Sequence, residues 1–94
     1  MFRIWRGEDG AVMMEGRFTA AEADQARQFF DTVNGSAVLD FTDLAYISSA
    51  GLGTLIALHH RLAAAGHRVS CRNLNRNVRE LFNIAGFSMI FDIE

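Results

Sequence analysis

VLDFTDLAYISSAGLG occupies residues 38–53 and contains a change from extended chain to helix. The apolar run 37–41 predicts a short strand, and 44–48 continues it as an extended segment or a loop. From about Ala50 to Ala65 apolar residues recur at helical spacing, and Gly66 follows them. We therefore predict a strand that leads into a helix. The residues expected to face inward on that helix are Leu52, Leu55, Ile56 and Leu62.

The sequence before this segment predicts a β-hairpin and a first helix. Two apolar-rich runs, 2–6 and 11–18, flank residues 7–10, whose Asp-Gly pair favours a tight turn. Thr19 and Glu22 match a capping box, which marks the start of a helix. Asn34-Gly35 is expected to end it. Its predicted inward face consists of Ala23, Ala26, Phe30 and Val33.

After the central segment, the sequence predicts a strand, a helix and a last strand. His67–Arg72 alternates apolar and polar residues, with Val69 and Cys71 toward the core. Asn75 is expected to cap a third helix that Gly86 ends, and 88–93 is a final strand. The inward face of that helix is expected to be Val78, Leu81, Phe82 and Ala85.

The predicted order is β-β-α-β-α-β-α-β, which favours one α/β domain over residues 1–94. The sheet is expected to be mixed but largely parallel, with an N-terminal hairpin and three crossover helices.

Composition excludes several classes of protein. Nine basic residues face eleven acidic ones, and they are scattered from Arg3 to Arg79 rather than clustered, so no nucleic-acid partner is expected. One cysteine, Cys71, cannot build a disulfide framework or a cysteine zinc cluster. No apolar stretch approaches the ~20 residues needed to cross a bilayer, and the first residues lack a signal-peptide core. We expect a cytoplasmic protein with no membrane insertion and no cofactor.

The turn Ser49-Ala50-Gly51-Leu52-Gly53 carries most of the functional information. Ser49 is predicted to be the N-cap, with its hydroxyl accepting the N–H of Gly51 or Leu52. Each glycine costs on the order of 1 kcal/mol relative to Ala inside a helix. The pair therefore indicates that something approaches the backbone closely. That neighbour is either the protein's own sheet or a partner, and a helix N-terminus can also stabilise a phosphoserine.

The chain resembles the STAS domains of bacterial anti-sigma-factor antagonists. The resemblance covers 38–53, Gly16-Arg17-Phe18 and 78–87, in the family's order. It implies that the unphosphorylated protein binds an anti-sigma factor, often itself a serine kinase, and that a PP2C-type phosphatase reverses phosphorylation. By position, the phosphate acceptor is Ser49 and the docking leucine is Leu52. The partner-binding surface implied by the resemblance consists of Ser48, Ala50, Gly51, Leu52 and Gly53.

The sequence departs from the family pattern near the acceptor. Ser48 and Thr19 stand where many antagonists carry Asp, and the chain stops at Glu94, soon after the last strand. STAS domains also occur as accessory subunits of lipid-transporting ABC systems. In such a subunit the same helix face would form a constitutive interface, and Ser49 would not be modified.

An enzymatic function is not expected. A nucleophilic Ser49 would need a base within hydrogen-bond reach, but its surroundings do not match Gly-x-Ser-x-Gly. His59 and His60 lie two to three turns along the same helix. Adjacent helical residues point about 100° apart, so these two histidines and His67 do not predict a metal site.

Overall fold

An antiparallel hairpin begins the sheet, as predicted. In the computed structural model, which describes residues 1–94, β1 (Phe2–Arg6) pairs antiparallel with β2 (Val12–Phe18). Gly10 in the connecting turn has φ +87°, a left-handed conformation that glycine adopts without steric cost. The Asp9 carboxylate accepts a hydrogen bond from the Ala11 N–H at 3.1 Å, which fixes the turn.

Three further strands extend the sheet in parallel. They are β3 (Ala37–Ile47), β4 (Val69–Arg72) and β5 (Asp92–Ile93), and the spatial order is β1-β2-β3-β4-β5. Strands β2 to β5 are mutually parallel. The crossovers carry α1 (Ala23–Phe30), α2 (Ser49–Ala64) and α3 (Arg76–Ala85). The predicted α/β class, element order and largely parallel sheet are confirmed.

Strand β3 is longer than the sequence predicts. Residues 44–47 belong to one continuous strand with 37–41, because the second half of β3 pairs with the end of β2. Leu44 lies opposite Gly16, and Ile47 lies opposite Phe18. As a result, β2 and β3 end side by side at the point where α2 begins.

The ends of two predicted elements are wrong. Helix α1 ends at Phe30 instead of Asn34-Gly35. The Arg61 guanidinium from α2 donates hydrogen bonds to the Phe30 and Val33 carbonyls, both at 2.7 Å, and so satisfies acceptors that a longer helix would have used. The predicted strand 88–93 is a 3-10 turn, Phe87–Met89, followed by the two residues of β5. This happens because Phe87 and Phe91 both turn inward and pack on Phe82.

One continuous core lies between the sheet and the helices. The predicted face of α1 is buried, and so are Val69 and Cys71 of β4. Burial raises the pKa of the Cys71 thiol to about 12, so it acts as a small apolar group.

In α2, Leu55 and Leu62 are buried as predicted, whereas Leu52 and Ile56 are half-buried. In α3, Val78 and Phe82 are buried, Leu81 is half-buried and Ala85 is exposed. The buried residues of α2 missed by the prediction are Thr54 and Leu58.

An ionic network around the buried Asp40 ties the hairpin turn to β3 and β4. The Asp40 carboxylate, only 3% exposed, accepts hydrogen bonds from Arg72 Nε at 2.7 Å and from the Thr42 N–H at 2.8 Å. Another Arg72 nitrogen donates to Asp9 at 2.7 Å. Burial alone would raise the pKa of Asp40, but the hydrogen bonds from Thr42, Arg72 and Asn73 outweigh it and lower the pKa to about 2. Asp40 is therefore a buried carboxylate that stays ionised.

Candidate functional site

The start of α2 differs from the prediction by one residue. Ser48 is the N-cap: its backbone is extended (φ −89°, ψ 173°), and its hydroxyl accepts the Gly51 N–H at 3.2 Å. The Ser48 N–H still donates to the Phe18 carbonyl at 2.9 Å, so the sheet holds Ser48 in the extended conformation. The prediction that Ser49 is the cap is wrong, because this pairing with β2 lets the helix begin at Ser49.

Ser49 lies in the first turn of α2 with its side chain exposed. The fold uses the neighbouring hydroxyl, that of Ser48, to satisfy the helix end. Ser49 itself is exposed, so another protein can reach its hydroxyl. Helix N-termini favour negative charge, because their first N–H groups lack intrahelical partners and the helix dipole is positive there.

The two glycines of the turn have different roles. Gly51 is buried, and a Cβ there would lie 2.7 Å from Ile47 Cγ1 and 3.0 Å from the Phe18 carbonyl oxygen. Gly51 thus lets α2 pack against the ends of β2 and β3. Gly53 is exposed, and a Cβ added to it would meet nothing within 4 Å. The fold does not require glycine at position 53.

The other residues of the implied partner surface lie between core and solvent. Ala50 and Leu52 are half-buried, and Leu52 packs against the edge of the core. Ser49 and Gly53 are the exposed members, and Gly51 is buried beneath them. The structure thus brings the predicted residues together at one helix end, with different degrees of access.

A carboxylate is held beside this helix end. Glu22 Oε1 accepts hydrogen bonds from the Thr19 N–H and from the Thr19 hydroxyl, both at 2.7 Å. The reach of Glu22 back to Thr19 was predicted and is confirmed. The hydrogen bond from the Thr19 backbone N–H, followed by that from its hydroxyl, lowers the pKa of Glu22. Glu22 ends the 3-10 turn Ala20–Glu22, which follows Thr19 and precedes α1. Because the Phe18 carbonyl is bonded to the Ser48 N–H, this turn lies near the start of α2, and it packs against α2.

Sequence reasoning missed a second exposed surface near this site. The Arg17 guanidinium lies 4.6 Å from the centre of the Tyr46 ring, a cation–π arrangement on the last part of β3. A groove of about 290 Å³ lies next to Tyr46 and is otherwise lined by α3. Its lining residues are Tyr46, Asn77, Glu80, Leu81 and Ile84. One feature of the sequence could have indicated this surface: Ile84 is apolar but falls outside the predicted inward face of α3.

The histidines are remote from Ser49. His59 packs edge-on against Phe91 with ring centres 5.4 Å apart, and His60 is exposed. Ten residues along a helix correspond to about 15 Å, so the His59 imidazole is too far along α2 to hydrogen-bond Ser49. The chain has no group of three or more His, Cys, Asp or Glu side chains placed to hold a metal ion. None of its helices combines the length and the apolar character needed to span a bilayer.

Comparisons of sequence give a consistent result. A family model described as "Mlab, STAS domain" matches residues 2–92. A STAS-domain containing protein of Pseudomonas aeruginosa is 24% identical over 90 residues, which cover 93% of this chain and 89% of that protein. A candidate anti-sigma factor antagonist of Bordetella bronchiseptica, BtrV, is 41% identical over 73 residues, or 77% of this chain and 61% of that protein.

Comparisons of structure concern the fold alone, since the identities are low. A candidate anti-sigma factor antagonist of Thermotoga maritima superposes with a TM-score of 0.81 at 16% identity, covering 99% of this chain and 85% of that one. Unphosphorylated SpoIIAA, an anti-sigma factor antagonist, gives 0.73 at 18% identity, covering 100% and 87%. The phosphorylated form of the Bacillus cell fate determinant SpoIIAA gives 0.72 at 18% identity, covering 100% and 91%.

Proposed function

The chain belongs to the STAS-domain family, and from this we propose that it is an anti-sigma-factor antagonist switched by phosphorylation of Ser49. Unmodified, it binds an anti-sigma factor, or a serine kinase that acts as one, through the start of α2. Phosphorylation releases the partner, and a PP2C-type phosphatase restores binding. In this proposal the protein is a regulator and not an enzyme.

The main support for the proposal is that two adjacent serines have different roles, one in the fold and one at the surface. Ser48 caps the helix with its hydroxyl at 3.2 Å from the Gly51 nitrogen, whereas Ser49 is exposed one residue later. A phosphoryl group on Ser49 does not have to displace an internal hydrogen bond. It also lies where the free N–H groups and the dipole of α2 stabilise negative charge. SpoIIAA, which has the same fold, exists in both phosphorylated and unphosphorylated forms.

Phosphorylation of Ser49 is expected to weaken partner binding rather than to unfold the protein. Phosphorylation adds about −1.5 to −2 charge at pH 7, beside the exposed residue Gly53 and the half-buried Leu52. A partner docked on this face must either desolvate that charge or move away. We expect a loss of affinity of roughly 30- to 1000-fold, equivalent to ~2–4 kcal/mol.

A second candidate is an accessory subunit of a lipid-transporting ABC system. The serine at position 48 and the threonine at position 19 favour it, since the resemblance places Asp at those positions in many antagonists. In that case the same helix face forms a constitutive interface and Ser49 stays unmodified. The Glu22 carboxylate, held by Thr19 on a turn that packs against α2, supplies one negative charge in this region.

Kinase treatment tests the choice between the two. The purified protein is incubated with ATP and an anti-sigma-factor serine kinase of the same organism, and the intact mass is measured. We expect a gain of one phosphoryl group in the wild type and in Ser48→Ala, and none in Ser49→Ala. A wild-type protein that stays unmodified, yet binds the ATPase of a lipid-transporting ABC system, would establish the second candidate.

A further inference from the structure

An apolar surface on α3 is used by the fold only in part, because Leu81 packs against the edge of the core and Ile84 does not. The Ile84 side chain is 84% exposed, and Leu81, one turn earlier, is half-buried. Tyr46 of β3, 38% exposed, lines the same groove. Helix α3 is anchored instead by the buried side chains of Val78 and Phe82.

The position of this groove relative to α2 is fixed. Asn75, the cap of α3, accepts the Val78 N–H at 2.8 Å and donates its side-chain N–H to the Leu44 carbonyl at 2.9 Å. α3 is thereby tied to β3 two residues before Tyr46 and five before Ser49. Tyr46, one of the residues that line the groove, lies on β3 three residues before Ser49.

We propose that this groove extends the Ser49 face and receives an apolar side chain of the same partner, flanked by a basic side chain; the inference rests on the proposed function. The apolar requirement follows from Tyr46, Leu81 and Ile84. The basic residue follows from Glu80, which is the charged group among the lining residues. Its ion pair with Arg76 is long, 3.6 Å, and both side chains are largely exposed, so the carboxylate remains available to a cation on the partner.

Matched variants test this surface. Ile84→Ser removes the apolar group from the groove. Met89→Ser is the control, since Met89 is 92% exposed but lies outside the groove, on the 3-10 turn after α3. Binding to the purified anti-sigma factor is measured by titration calorimetry, with thermal melts of each variant. We expect at least a tenfold loss of affinity in Ile84→Ser, less than twofold in Met89→Ser, and unchanged melting in both.

Charge is tested separately with Glu80→Gln. We expect a several-fold loss of affinity and a weaker dependence of the Kd on salt concentration, because one ion pair with the partner is gone. Wild-type salt dependence in Glu80→Gln overturns the assignment of a basic residue. A free protein that is dimeric, and that becomes monomeric in Ile84→Ser, assigns the groove to a second copy and overturns the proposal.

Ser49→Asp separates this inference from the proposed function. If Ser49→Asp weakens binding and Ile84→Ser does not, the groove proposal fails and the switch stands. If Ile84→Ser weakens binding and Ser49→Asp does not, the groove is supported and the phosphoserine switch fails. A wild-type protein that does not bind the anti-sigma factor overturns both.

Discussion

The Ser48 hydroxyl accepts a hydrogen bond from the Gly51 N–H at 3.2 Å, and this contact assigns the helix cap to Ser48 and leaves Ser49 exposed. Ser48→Ala should therefore lower the free energy of unfolding by about 1 kcal/mol, whereas Ser49→Ala should change it by less than about 0.5 kcal/mol. Urea denaturation of the two variants measures both. A larger cost for Ser49→Ala would mean that Ser49 is the cap after all.

Ser48→Asp should be tolerated, because Asp also caps helices and its charge is favourable at a helix N-terminus. We expect a melting temperature close to that of the wild type and continued phosphorylation of Ser49 by the kinase. Phosphopeptide mapping locates the modified residue. A phosphate on position 48 in the wild-type protein, or none in Ser48→Ala that still folds, would place the acceptor one residue earlier than proposed.

Substituting the two glycines of α2 should have opposite effects on stability. Gly51→Ala places a Cβ 2.7 Å from Ile47 Cγ1 and should destabilise the fold by ~1–3 kcal/mol. Gly53→Ala meets nothing within 4 Å and should stabilise the helix by up to about 1 kcal/mol. If the partner packs closely on the helix backbone, Gly53→Ala will weaken binding while raising the melting temperature. Full partner affinity in Gly53→Ala would show that the partner does not pack closely at this position. An unchanged melting temperature would contradict the expected gain in helix stability.

Leu52 should contribute to both the fold and the interface. It is half-buried, so Leu52→Ala should cost less stability than the ~2–5 kcal/mol expected for a fully buried leucine such as Leu55. We expect a clear loss of partner affinity as well. Denaturation and a binding titration on Leu52→Ala, with Leu55→Ala as the control, separate the two contributions. If Leu52→Ala loses as much stability as Leu55→Ala and keeps full affinity, Leu52 is a core residue only.

Acid should weaken the fold through Asp40. Its pKa in the folded state is about 2, below the ordinary value of 3.8, so its ionised form is stabilised by folding. The contribution is complete above about pH 4 and is lost as the pH falls toward 2; it amounts to about 2 kcal/mol. Urea denaturation between pH 7 and pH 2 should show this decline in the wild type. Asp40→Asn should be less stable at neutral pH and should lose less between pH 4 and pH 2. If the free energy of unfolding falls equally with pH in the wild type and in Asp40→Asn, Asp40 is not the source of the acid sensitivity.

The sequence by itself was sufficient for the elements and their order. Hydrophobic periodicity, the turn at Gly10, the reach of Glu22 to Thr19 and the Asn75 cap are all local features, settled by residues within a few positions of each other. The Gly10 turn, the contact between Glu22 and Thr19 and the Asn75 cap are confirmed. Hydrophobic periodicity gave the right order of elements, but it wrongly placed Ala85 inward and made the last strand too long. The resemblance on 38–53 and 78–87 likewise identified the family without any coordinates.

Only the tertiary structure decided how individual residues at the site are used. Whether Ser48 or Ser49 caps α2 depends on the Phe18 carbonyl, thirty residues earlier in the chain, which holds Ser48 extended. Gly51 and Gly53 are alike in sequence, and packing against Ile47 distinguishes them. The groove beside Tyr46 lies between β3 and α3, which are far apart in sequence and are joined by the hydrogen bond from Asn75 to Leu44. Contacts between distant segments set these properties, and hydrophobic patterning along the chain does not specify which atoms such contacts bring together.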